Sequence, residues 1–245
     1  MQFFILILGA FFAGIGFLIH EGNAKYLLAG YNTMGESERK KVDLSRFIPY
    51  FRRFHIFLGA SFTVLGLLLV QVAGNAAVSV FVSLYPIGAY MYFMWRSGSM
   101  LSDQVVPSSN RIGLIVMGLL LTGISVLLYA GMQTPRMELS EQGIRIGGIY
   151  GETIAIADIQ EISQVSTVPD IAHRKNGMVL GSMKKGYFRT REGDLLKLLI
   201  DTRTPSFLRI TKKKATYPVL FSSRKQSVDT LLREMGDLWP ERVRN

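Results

Sequence analysis

The stretch "IGLIVMGLLLTGISVLLYAGMQTPRMELSEQGIRI" (Ile112–Ile146) decides the fold. Up to Met132 it is apolar and free of charge, long enough to cross a bilayer, which needs about 20 such residues. "GMQTPRM" (Gly131 to Met137) marks the exit, and beyond it the period changes. "GIRIGGIYGETIAIADIQEI" alternates and is rich in isoleucine, as strands are, with Ile144 and Ile146 on one face. The switch predicts a membrane region over 1–132 and a mainly β head over 136–238, with 239–245 as a tail.

Three more apolar runs precede this one: Phe3–Ile19, Phe54–Ala73 and Ala76–Trp95, the last with Pro86 predicting a kink. With Ile112–Met132 they predict four transmembrane helices. The first run lacks a positive flank before it and an Ala-x-Ala site after it, so it reads as a crossing rather than a cleaved leader. Composition agrees: 49% of the 245 residues are hydrophobic and only 19% charged. No cysteine is present, which excludes disulfides and thiolate-held metals. The net charge of +10 divides into +4 over 1–132 (9 Lys/Arg, 5 Asp/Glu) and +6 over 133–245 (19 and 13).

Lys and Arg set the orientation. The segment 20–53 holds seven: Lys25, Arg39, Lys40, Lys41, Arg46, Arg52 and Arg53. The N-terminus and the tight Gly74-Asn75 connection hold none. The expectation is a plasma-membrane protein with its N-terminus and head outside the cytoplasm. Arg136 and Arg145, just after the last run, pull the other way, but large domains translocate largely regardless of charge.

The segment "NAKYLLAGYNTMGESERKKVD" (Asn23–Asp43) then faces the anionic inner leaflet. Lys25, Tyr26 and Tyr31 suit the headgroup level, the lysine by extending its stem along the apolar boundary. Leu44, Phe47, Ile48 and Phe51 fall on one helical face, with Arg46, Arg52 and Arg53 mostly off it. This reads either as an interfacial helix bent at Pro49 or as a charged loop that only enforces topology. The segment with its flanking apolar runs, about residues 1–95, resembles an uncharacterised bacterial family of small three-helix membrane proteins. That resemblance brings no activity with it.

In the head, Tyr150-Gly151 and Glu192-Gly193 read as hairpin turns, and "FLRIT" and "TYPVLFS" as a third hairpin joined through Lys212–Lys214. Ser223 with Gln226 has the spacing of a capping box, and Val228, Leu231, Leu232 and Met235 follow on one helical face, with Gly236 as the stop. About seven strands closed by an amphipathic helix, with the details "GIRIGGIYGETIAIADI" and "KKGYFRTREGDLLKLLI", resemble the bacterial pleckstrin-homology-like family. The resemblance implies binding or scaffolding rather than catalysis, with the helix covering the sheet's apolar face. The basic phosphate site that lipid-binding relatives carry between their first two strands is missing, because that loop is "SEQG" (Ser140 to Gly143). The cations lie elsewhere, at Lys184, Lys185, Lys212, Lys213, Lys214, Arg224 and Lys225. They read either as contacts to an anionic surface or as a solvated face.

Catalytic patterns are missing from the sequence. His20, His55 and His173 have no metal-ligand spacing and read as boundary or surface residues, His173 in a polar loop. There is no nucleophile elbow and no phosphate loop. The apolar runs carry no central charge, which argues against a stand-alone transporter. Small residues four apart, Gly9 with Ala13, Ala10 with Gly14 and Gly118 with Thr122, suit close helix approach. The expectation is a non-catalytic recognition protein with no cofactor and no metal. Its partners would be the bilayer and a protein or peptide, not nucleic acid. Envelope sensing or immunity to a membrane-active peptide fits such a design. The alternatives are a cytoplasmic docking head and an accessory subunit of a membrane enzyme or transporter.

Overall fold

The computed structural model describes residues 1–27, 35–36, 43–101 and 108–244. Contacts divide the chain into two compact units, Met1–Val126 and Leu127–Asn245.

The first unit is helical: α1 (Gln2–Ile15), α2 (Ala24–Leu27), α3 (Leu44–Val72), α4 (Gly74–Leu101) and most of α5 (Ser108–Met132). Three stretches are long and apolar enough to cross a membrane: Leu44–Val72, Gly74–Ser97 and Arg111–Met132. The first expected crossing is shorter, since α1 covers 14 residues and ends in tight turns at Gly16–Leu18. At 1.5 Å per residue it is about 21 Å long.

The expected interfacial helix is not a separate element. Asp43 caps α3, its Oδ1 accepting from Arg46 N (3.1 Å), and the helix then runs unbroken to Val72 with Pro49 inside it. Phe47, Ile48 and Phe51 are buried with Ile19 and Ala24, as their spacing predicts, while Arg46, Arg52 and Arg53 are exposed. Between α3 and α4 the chain reverses at Gly74, whose φ of +73° is one that glycine adopts without cost.

α1 packs antiparallel along α3. Gly16 lies beside Arg52 and His55, Gly9 beside Gly59 and Thr63, and Ile5 beside Gly66. The approach is backbone to backbone: a Cβ on Gly59 would strike Gly9 O and come within 2.8 Å of Ala13 N. α3 and α4 meet through rings, with Phe62 on Phe81 (5.3 Å) and Phe54 on Phe93 (4.7 Å). His55 is a buried part of this seam rather than a boundary residue. Its Nδ1 lies 2.8 Å from Phe51 O and its Nε2 3.2 Å from Tyr90 Oη. A proton on Nδ1 satisfies both contacts, with Nε2 accepting from the tyrosine.

The second unit holds the end of α5 and the head. β1 (Met137–Ser140), β2 (Gly143–Ile146) and β3 (Glu152–Ala155) form an antiparallel three-stranded sheet. A 3-10 turn (Ile156–Asp158) leads to a seven-stranded sheet of order β10-β4-β8-β9-β7-β6-β5. Its strands are β4 (Ile159–Val165), β5 (Ile171–Leu180), β6 (Met183–Thr190), β7 (Leu195–Asp201), β8 (Phe207–Lys212), β9 (Val219–Phe221) and β10 (Val243–Arg244). β9 pairs parallel to β7 and β10 parallel to β4.

The amphipathic helix α6 (Val228–Leu238) buries Val228, Leu231 and Met235 against residues of both sheets, among them Ile146, Ile154, Ile162 and Leu199. Three readings change. Ser223 and Gln226 form an isolated bridge rather than a capping box, because Gln226 is committed to both backbone groups of Met137, each at 2.7 Å. The helix passes Gly236 and ends at Leu238. Residues 239–244 belong to the head, since Trp239 is buried in its core and β10 extends the sheet.

Candidate functional site

Three polar constellations and an apolar-floored cleft stand out in the head. The first lies where α5 ends. Lys185, in β6, is 1% exposed, and its ammonium donates to Gln133 O and reaches Ala130 O at 3.5 Å. A cation suits the carbonyl end of a helix. Burial pushes this lysine below its ordinary pKa. Gly131 lies so close to Met178 and Leu180 that a side chain there would overlap both. The last turn of α5 is thereby packed on the β5–β6 hairpin.

The second constellation joins the two sheets. Glu152 (β3) takes Lys197 Nζ (β7) at 3.2 Å on Oε1 and Lys212 Nζ (β8) at 3.1 Å on Oε2. Lys212 lies 4.6 Å over the Tyr217 ring and Lys197 5.4 Å from the Tyr187 ring. The hydrogen bond with Tyr187, then burial and the Glu152 charge, push the Tyr217 phenol up to about 12. Tyr150 donates to Asn176 Oδ1 (2.8 Å) from a left-handed backbone, φ 66°. Each charge here already has a partner, so the group works as a clasp.

The third surrounds Asp201, which is fully buried at the end of β7. Arg203 donates to it from Nε and Nη2, both at 3.2 Å, and Arg224 Nε lies 2.6 Å from Oδ2. Burial raises the carboxyl's pKa, but the hydrogen bonds from Arg203 and Ser182 and the Arg203 charge outweigh it and hold Asp201 at about 2.

The cleft lies on the sheet face opposite α6. Phe188, Leu196, Leu198, Ile200, Phe207 and Leu220 form an apolar layer there, partly covered by Val165, Val168 and Ile171. Where short β9 begins, β7 and β8 enclose a hollow of about 360 Å³ beneath the β4–β5 connection. That volume lies within the range of small-ligand sites. Leu196 and Leu220 line it, with Arg209 as its cation and Glu192 and Asp194 as its acids.

The candidate cations divide accordingly. Lys185 is buried and Lys212 is held by Glu152, so neither is a free tip; Arg224 serves Asp201. Lys213, Lys214 and Lys225 are exposed and Lys184 half-buried. In the helical unit Tyr26 is exposed and Arg52 lies 5.3 Å from the Phe17 ring. Lys25 lies in α2, and Tyr31 lies outside the described residues. His173 stands in β5 rather than in a loop. Among the described residues no three His, Asp or Glu side chains are placed to hold a metal ion. The cleft and the Asp201 group escape a sequence reading, because the cleft's lining comes from four separate segments and the Asp201 group from three.

A family described as a domain of unknown function (DUF3784) matches residues 6–100, which take in most of α1, all of α2 and α3 and nearly all of α4. No curated protein and no solved structure matches the chain. The family likeness therefore covers the helices up to α4, and α5 and the β head follow it.

Proposed function

We propose that the chain is a non-catalytic, multi-pass protein of a bacterial plasma membrane whose pleckstrin-homology-like head binds an extended peptide in the cleft beneath the β4–β5 connection. The observation that carries this reading is the cleft's make-up. An apolar floor of Leu196 and Leu220 lies with one cation and two acids at a sheet face. A peptide offers apolar side chains and both signs of charge at once. The Glu152 carboxylate already faces two lysines, which leaves that group unsuited to a ligand.

α1 serves as the fourth crossing. Its contacts with α3 run from Arg52 to Gly66, so it shares the depth of a membrane-capable helix. Four crossings with seven cations in 20–53 put the head outside, where sensing of envelope peptides or immunity to membrane-active ones becomes its role. Arg136, four residues past α5, supports the opposite reading, a cytoplasmic docking head.

Two experiments test this. A single cysteine at Lys213, labelled in intact cells with an impermeant reagent, reacts if the head is outside and is protected if it is inside. A deletion strain challenged with membrane-active peptides is expected to die sooner than the parent, and Arg209→Glu is expected to behave like the deletion at normal protein level. Equal survival of all three strains removes the immunity role.

A further inference from the structure

We propose that the cavity framed by Arg203 and Arg224, beside the point where α5 leaves the bilayer, binds the phosphate of an anionic membrane lipid. The cavity measures about 290 Å³, and Ser206 and Ser223 line it with the two arginines. Asp201 fixes both guanidiniums through Nε of each and Nη2 of Arg203. Nη1 of Arg203 and both Nη groups of Arg224 have no partner among these bonds. Oriented guanidinium donors are the usual means of grasping a phosphate.

Position selects the source of that phosphate. Met183 pairs with Asp201 and Lys185 with Leu199, so the carboxylate lies two residues from the lysine that holds the end of α5, toward the hairpin tip. Two strand residues span about 7 Å. Gln226, also in the lining, bonds both backbone groups of Met137, five residues after α5 ends. Val179, at the same hairpin tip, is the one large apolar strand residue of the head left exposed among the described residues. An exposed valine and two oriented arginines at a helix exit suit the boundary between acyl chains and headgroups.

Charge selects the headgroup. The two arginines less the Asp201 beneath them leave one positive charge, and Asp229, the acid of the lining, sets a negative charge near it while accepting from Gln164 Nε2 at 2.9 Å, which disfavours a second or third phosphate charge. That balance suits a singly charged phosphodiester, such as phosphatidylglycerol, rather than a multiply phosphorylated ring. The inference needs α5 to cross the bilayer. It is independent of what the cleft binds and of which side the head faces.

The test uses the full chain in nanodiscs of phosphatidylcholine alone or with one-third phosphatidylglycerol, reading retained lipid by native mass spectrometry and the melting temperature. Wild type is expected to retain phosphatidylglycerol and melt higher with it. Arg203→Gln and Arg224→Gln each leave Asp201 one arginine and are expected to lower retention roughly tenfold, the loss of one charged hydrogen bond. Lys213→Gln with Lys214→Gln is expected to change nothing. Asp229→Asn, which leaves the Asp201 group intact, is expected to raise retention several-fold. Equal loss in the lysine control, or no response to Asp229→Asn, overturns the proposal in favour of diffuse charge. Inorganic phosphate that protects the protein in phosphatidylcholine discs as well as phosphatidylglycerol does overturns the lipid source.

Discussion

The helical region and the head bury their side chains by opposite rules. Past Met132 only Val179 and Leu238 are large apolar residues left exposed among the described residues, whereas before it exposed Phe, Leu, Ile and Val line α1, α3 and α5. The head keeps its apolar groups inside and joins its sheets with a carboxylate and two lysines. The helices present apolar groups outward and approach one another through glycines and rings. In water, burial drives association; in lipid, the surroundings are as apolar as the interior, so close packing and hydrogen bonds take over.

Four predictions put that contrast at risk, each read as full-chain unfolding in nanodiscs. Glu152→Leu leaves Lys197 and Lys212 without a counter-charge and is expected to cost about 3 kcal/mol, the largest effect. A loss under about 1 kcal/mol would mean the clasp is an ordinary surface pair. Leu199→Ala in the head core is expected to cost about 3 kcal/mol or slightly less, whereas Leu119→Ala on the outward face of α5 stays within about 0.5 kcal/mol. If both cost the same, the contrast fails.

Acid gives the third test. The folded pKa of Asp201, about 2, lies below its ordinary 3.8. Its contribution, about 2 kcal/mol, is therefore full above pH 4 and disappears as pH falls toward 2. Asp201→Asn should decline less steeply over that window than the wild type, since the other carboxylates still titrate; parallel curves would refute the assignment. Smallest is Gly59→Val, expected to cost about 1–2 kcal/mol by forcing α1 off α3. A cross-link between cysteines placed at Gly16 and Arg52 reports the separation, and an unchanged yield would show that the seam tolerates a side chain.

What was legible in the sequence follows the same division. Helix existence, the buried stripe Phe47–Ile48–Phe51 and the exit at 132–137 follow from periodicity. Of the three small-residue pairs, Gly9 with Ala13 meets Gly59, Gly14 faces open space, and Thr122 Oγ1 bonds Gly118 O in its own helix. Spacing alone could not choose among them, since the partner helix makes the choice. β5 escaped because its residues 172–176 are exposed and four of them, His173 to Asn176, are polar, as befits an edge strand. Lys185 and Lys184 look alike in sequence, yet alternation along β6 sends one inward and the other to the surface. Gln226 had the right spacing for a cap, and a backbone 89 residues away claimed it first.

The Lys185 ammonium gives α5 an unusual ending. Here the final turn is stitched to a hairpin by a buried cation and by the bare Gly131 surface. The final turn of α5 and the β5–β6 hairpin thus belong to one packed body within Leu127–Asn245.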